Sequence, residues 1–206
     1  MKKVCIVLFA LVCLAGFAFA ADKASSASAP AKAVAPLVDK GNLLANVGVG
    51  WGGISGGVEY EFARIDIGGT IPLSFGAAAR AMVDPGLFYA WSSFDFGVGA
   101  FGTAHFSWKS LFPESSFISK LDTYAGLGVG FASATASTTW TDYTYKPGIG
   151  ISTFEGVSYY LNDKLAINLE YGYIGRVTYE WSYPGYWDYT GGWPLYYSTI
   201  GVVLKL

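Results

Sequence analysis

The chain has 206 residues, of which 52% are hydrophobic, 17% aromatic and only 14% charged, with a formal net charge of −2 at pH 7. So little charge beside so much apolar and aromatic surface argues against an ordinary soluble protein. Without a basic patch the chain offers no nucleic-acid footprint, and its length suits one domain.

Residues 1–20 read as a signal peptide. Lys2 and Lys3 precede an apolar core from Val4 to Ala15, and Ala18-Phe19-Ala20 gives a small-x-small cleavage pattern. The competing reading is a membrane anchor, because Val4 to Ala21 is unbroken by charge. The small-residue end and the lack of a basic stop-transfer cluster favour cleavage. Cys5 and Cys13 both fall inside this leader, so the exported part has no disulfide and needs another source of stability. Residues 21–41, rich in Ala, Ser, Pro and Lys, read as a flexible periplasmic linker.

From residue 42 the grammar is strands. Leu43, Ala45, Val47, Val49 and Trp51 share one parity, and Gly52-Gly53 marks a tight turn. Val58, Tyr60 and Phe62 alternate with Ser55, Gly57, Glu59 and Glu61. A turn is predicted at Ala63-Arg64. A strand then runs from Ile65 to Phe75, with Asp66 inward and a bulge at Pro72. Residues 76–92 read as a loop with the turn signal Asp84-Pro85-Gly86. Residues 93–108 form a strand with Phe94, Phe96 and Val98 outward and Asp95 and His105 inward.

Residues 121–133 make another strand, and 134–147 a polar loop. In the strand 148–161, Glu155 shares the outward parity of Ile151 and Val157, which predicts a bulge near Phe154. The clearest hairpin follows, VSYYLNDKLAINLEYGY from Val157 to Tyr173. Asn162-Asp163 is its turn, and Leu165, Ile167, Leu169, Tyr171 and Tyr173 form one face. That strand runs to Trp181, outward again at Val177. Residues 183–194 read as a loop, and 195–206 as the last strand, with Ile200, Val202 and Leu204 outward.

High apolarity in alternating segments, without a convincing membrane helix, points to a transmembrane up-and-down antiparallel β-barrel over residues 42–206. About eight strands are predicted, ten being the alternative if a hairpin hides in a longer connection. The leader, the alternation and the final strand together resemble the small eight-stranded outer-membrane proteins of the OmpA and OmpX type. That resemblance implies residence in the bacterial outer membrane with both barrel ends periplasmic. It also implies insertion by the barrel assembly machinery, which reads an aromatic terminal residue in the family; here the position is Leu206.

Parity places Glu59, Glu61, Asp66, Asp95, Glu170 and Lys205 in the lumen as a charge network, with a Lys205 contact to Glu61 or Glu59 expected. Tyr124, Tyr197 and Phe101 should obstruct a continuous pore. His105-Phe106-Ser107 has the His-x-Ser spacing of lipid A deacylase barrels, but Trp108 replaces their Asn and the nearest downstream acid, Glu114, is misplaced. A lumen histidine in a polar network is the preferred reading. No Cys/His metal cluster or phosphate-binding Gly loop is evident, and no metal or cofactor site is predicted. Tyr186, Trp187, Tyr189 and Trp193 are candidates for an aromatic girdle or an external contact. The resulting expectation is a non-enzymatic barrel surrounded by outer-membrane lipid, with a structural, envelope-maintenance or adhesin-like role toward an unidentified extracellular ligand. A narrow channel and a lipid-modifying enzyme are the rivals.

Overall fold

The computed structural model describes residues 34–68, 71–85, 92–137, 144–181 and 189–206. Alternating side chains give nine strands among these residues: β1 (Leu43–Trp51), β2 (Gly53–Ile67), β3 (Ile71–Asp84), β4 (Ser92–Ser107), β5 (Leu121–Ser137), β6 (Thr144–Lys146), β7 (Gly148–Tyr160), β8 (Leu165–Trp181) and β9 (Tyr189–Lys205). All pair antiparallel. The ring runs β1-β2-β3-β4-β5-β7-β8-β9 and closes where β9 pairs with β1, from Leu44↔Lys205 to Trp51↔Ser198. Closure leaves none of the eight ring strands with an unpaired edge to template aggregation. The short β6 is not a ninth stave. It pairs with Thr178–Glu180 of β8 while β7 pairs further along with Ala166–Tyr173, so β6 and β7 lie in line, interrupted at Pro147.

The distribution of side chains is inside-out. Large apolar residues point outward and stand exposed, with Ile149, Ile151 and Leu127 67–76% accessible. Glu59, Glu61, Arg80, His105, Asp122 and Glu170 point inward and are buried. An apolar exterior around a polar interior, with backbone groups satisfied by a closed ladder, is what a bilayer demands of strands. Seven of the staves run 13–17 residues, longer than the 9–11 that cross a bilayer, so they overhang it.

Several local expectations are corrected. The turn predicted at Ala63-Arg64 is strand: β2 continues to Ile67, and β3 begins at Ile71. The bulge lies at Phe62, between Glu61 and Ala63, and the pairing through Pro72 is regular. The predicted loop 76–92 is largely β3, whose inward residues are Ala78, Arg80, Met82 and Asp84. The chain near Phe154 has an unbroken register with both neighbours, so Glu155 keeps its outward place between Ala125 and Tyr171. Instead, β8 shifts register between Ile174 and Val177, with Gly175 at φ +63°. That extra residue turns Val177 inward, where it is fully buried. The predicted loop 183–194 gives way to β9 from Tyr189 on.

The hairpin turn at Asn162 matches its sequence signal. Asn162 Oδ1 accepts hydrogen bonds from the backbone N–H groups of Lys164 (2.9 Å) and Leu165 (3.0 Å), an Asx-type turn. At the opposite rim, Gly52 and Gly53, both at positive φ, close the β1–β2 hairpin.

The last part of the segment read as a linker is built into the barrel. Val38 is buried against Leu44, Tyr160, Ala166 and Val203, with Leu37 packed on the same cluster. The Leu37 N–H donates to Ser107 Oγ (3.0 Å), Ser74 Oγ donates to the Val38 carbonyl (2.8 Å), and the Gly41 N–H donates to the Glu61 carbonyl (2.7 Å). Asp39 pairs with Arg64 at 2.9 Å. Leu37 to Gly41 thus seats in the mouth at the rim that holds both ends of the barrel chain.

Candidate functional site: the buried polar core of the barrel

Strand alternation sends one side chain in two to the interior, and the glycines among them make room for the large ones. Gly76 lies beside Glu61 Oε1, where any β-carbon would collide with the carboxylate. Two connected groups result.

The first is centred on His105 of β4. Its Nδ1 lies 2.6 Å from Asp122 Oδ2 on β5, and its Nε2 lies 3.0 Å from Glu59 Oε1 and 3.7 Å from Glu61 Oε1 on β2. The ring stacks on Tyr124 at 5.2 Å between centroids. The second is centred on Glu170 of β8. Tyr197 OH donates to its Oε1 (2.8 Å), and Tyr124 OH (3.0 Å) and Asn46 Nδ2 (3.4 Å) donate to its Oε2. Asn168 Nδ2 donates in turn to Tyr124 OH (3.1 Å).

Arg80 of β3 joins the two groups. Its Nη2 donates to Glu59 Oε2 (2.8 Å), its Nε lies 3.7 Å from Glu170 Oε2, and its guanidinium sits 4.5 Å over the Phe154 ring. Phe154 meets Phe101 edge-on at 4.9 Å. Charged groups this deep persist only when paired and hydrogen-bonded.

The six residues assigned to the lumen by parity are divided by the structure. Glu59, Glu61 and Glu170 sit in the buried core. Asp95 is half-buried toward the opposite rim, facing Asp84 across the β3–β4 pair. Asp66 is not in the lumen: β2 overhangs the rim beyond the Phe62 bulge, and the half-exposed Asp66 carboxylate takes Arg64 Nε at 2.7 Å. Lys205 contacts neither Glu61 nor Glu59. Its Nζ donates to the Leu37 carbonyl (3.0 Å) and lies 5.8 Å from the Tyr160 ring centroid, because the seated segment reaches it first.

Of the aromatic candidates, Tyr186 and Trp187 lie outside the described residues. Tyr189 opens β9, and Trp193 is half-buried, edge-on to Tyr145 at 5.6 Å.

Arg80 and Asp122 were missed from sequence. Arg80 fell in the supposed loop, although Ala78, Arg80 and Met82 share one parity. Asp122 precedes Tyr124 by two, on the inward parity of β5. The orienting acid for His105 is thus Asp122, and Glu114 stands exposed. Ser107 is not in position for a nucleophile's part, since its hydroxyl accepts the Leu37 N–H.

A closed ring of eight antiparallel strands, apolar outside and polar within, defines a small transmembrane β-barrel. No family model and no curated protein matches the sequence. Among solved structures, the chain is similar to the outer membrane protein OprG from Pseudomonas aeruginosa, with 13% identity over 84% of this chain and 99% of that one, TM-score 0.47. It is also similar to Neisserial surface protein A, with 16% identity over 80% and 94% and a TM-score of 0.40. A third is the outer membrane protein AlkL, with 14% identity over 88% and 94% and a TM-score of 0.37. The fold assignment itself rests on the strand ring and its inside-out side chains.

Proposed function

We propose that the chain is an integral outer-membrane barrel whose lumen is filled, acting in envelope maintenance or surface contact and not as an open pore or an enzyme. The observation that carries this is the cross-linked interior: Arg80 bridges Glu59 to the Phe154–Phe101 pair at mid-height, while Leu37 and Val38 fill one mouth. Eight strands enclose about enough space for their own side chains, and these side chains use it. In this reading the seated end faces the periplasm and the aromatic-rich opposite rim, Trp193 included, faces outward toward an extracellular partner.

Planar-bilayer recording tests the filled lumen. Purified, heat-shifting protein should insert without steady conductance steps. Stable, ion-selective single-channel steps from a verified monomer would make it a channel instead.

A further inference from the structure

The geometry points to a divalent-cation site inside the barrel, formed by His105 Nε2, Glu59 Oε1 and Glu61 Oε1, with Asp122 fixing the histidine ring. These three side chains offer ligand atoms that all lie within 4.8 Å of one another, and all three residues are buried. A tetrahedral zinc with bonds of about 2.0–2.1 Å to nitrogen and oxygen sets its ligand atoms roughly 3.3 Å apart. The separations from His105 Nε2, 3.0 Å to Glu59 Oε1 and 3.7 Å to Glu61 Oε1, bracket that spacing.

Two further observations point to a ligand. Glu61 is completely buried and neither of its carboxylate oxygens has a hydrogen-bond partner, although Oε1 faces the histidine. Leaving a buried carboxylate without a hydrogen bond is costly, and a cation is the partner that suits it best. The second is the arrangement behind the ring. Asp122 Oδ2 takes the Nδ1 side at 2.6 Å and leaves Nε2 pointing at the two glutamates. A carboxylate behind the non-ligating nitrogen is the usual support of a metal-bound histidine, since it fixes the tautomer and raises basicity.

The charge around the ring also runs short of cations. Glu59, Glu61, Asp122 and Glu170 face Arg80 and His105 among the buried described residues. A cavity of about 10 Å³, lined by Glu59, His105, Tyr124 and Ser158, adjoins the site. That is about the room one water molecule needs, and a water there would serve as a fourth ligand. An imidazole with carboxylates selects the zinc, cobalt and nickel class over calcium or magnesium, which take oxygen alone.

The test uses the full chain, refolded into lipid, stripped with chelator and titrated with Zn²⁺ and separately with Co²⁺, folding being checked by the heat-mobility shift. One equivalent should bind, and zinc X-ray absorption should show nitrogen and oxygen neighbours including one imidazole. Glu61→Gln should weaken binding about tenfold or more, Asp122→Asn about 10–100-fold, and Asp66→Asn, at the exposed rim outside the buried core, should leave it unchanged. Substoichiometric binding by the wild-type barrel, an absorption spectrum without imidazole, or full affinity in a folded Glu61→Gln variant would overturn the site. If the variants fail to fold, the wild-type stoichiometry and spectrum decide alone.

Discussion

Ser74 Oγ donates a 2.8 Å hydrogen bond to the carbonyl of Val38, tying the chain that precedes the barrel to the inner face of β3. With Lys205 Nζ on the Leu37 carbonyl and Ser107 Oγ under the Leu37 N–H, this makes residues 37–41 an integral stopper. Burying a valine contributes about 1.5–3 kcal/mol. Val38→Asp should therefore unseat the segment while the closed barrel survives. Limited proteolysis of the refolded protein should cut near Leu37 many times faster in the variant, with the heat-mobility shift retained. Unchanged protection would show that Val38 does not hold the segment.

Arg80 contacts both halves of the polar core, through Glu59 and Glu170. Arg80→Met keeps much of the volume over Phe154 but leaves two buried carboxylates without their guanidinium. Removing one partner of a buried pair costs about 3–5 kcal/mol. The urea midpoint for unfolding from lipid vesicles should fall accordingly, more than for Arg64→Met, whose pairs with Asp39 and Asp66 are partly exposed. Equal midpoints would mean that the core pair adds nothing.

Alternation made most of the wall legible, because one face of each strand meets lipid and the other meets packed side chains. Leu169 and Asn168, Phe94 and Gly97, Val58 and Glu59 all fall as parity predicts. It failed on β3, where the outward residues are Ala77, Ala79 and Ala81 and the inward ones include Arg80. Small residues outside and a charge inside do not look like a strand face to a hydrophobicity pattern. Bulges were the second failure. One extra residue at Phe62 or Gly175 reverses every later parity, and neither position announces itself locally. In the site, Glu59, Glu61 and Glu170 were reached by parity alone. Asp122 and Arg80 were missed, and Lys205 was assigned the wrong partner because the stopper could not be foreseen.

Gly175 is one such reversal point and gives a sharp test. Its φ of +63° disfavours any side chain, and a β-carbon there would press on the backbone of Phe131 and Ala132. Gly175→Ala should destabilise the barrel by at least about 1–2 kcal/mol from the left-handed backbone alone. Gly102→Ala, whose new β-carbon would meet only the Leu127 carbonyl at 3.9 Å, should be nearly neutral. Equilibrium unfolding of both variants checks the contrast, and a neutral Gly175→Ala would remove the bulge from the account.

Leu169 stands 56% exposed on the outer face between Val157 and Ile200. Leu169→Arg should cost about 2–4 kcal/mol near the bilayer midplane. Asn168→Arg should also impair folding, because Asn168 is buried and bonded to Tyr124 with no room for a longer chain. Folding yields into vesicles should therefore drop for both, and an undisturbed yield for Leu169→Arg would place that face away from lipid.

The most direct measurement of the inside-out wall is a nitroxide scan along β7. Residues 21–206 contain no cysteine, so single cysteines can be introduced without background. In lipid vesicles, labels at Ile149, Ile151, Thr153 and Val157 should collide readily with oxygen, which concentrates in the bilayer, and poorly with a water-soluble nickel chelate. Labels at Ser152, Phe154 and Ser158 should be shielded from both, giving a two-residue period. Loss of that period, or nickel access to the Ile151 and Val157 labels at mid-strand, would contradict a filled barrel with its apolar face in the membrane.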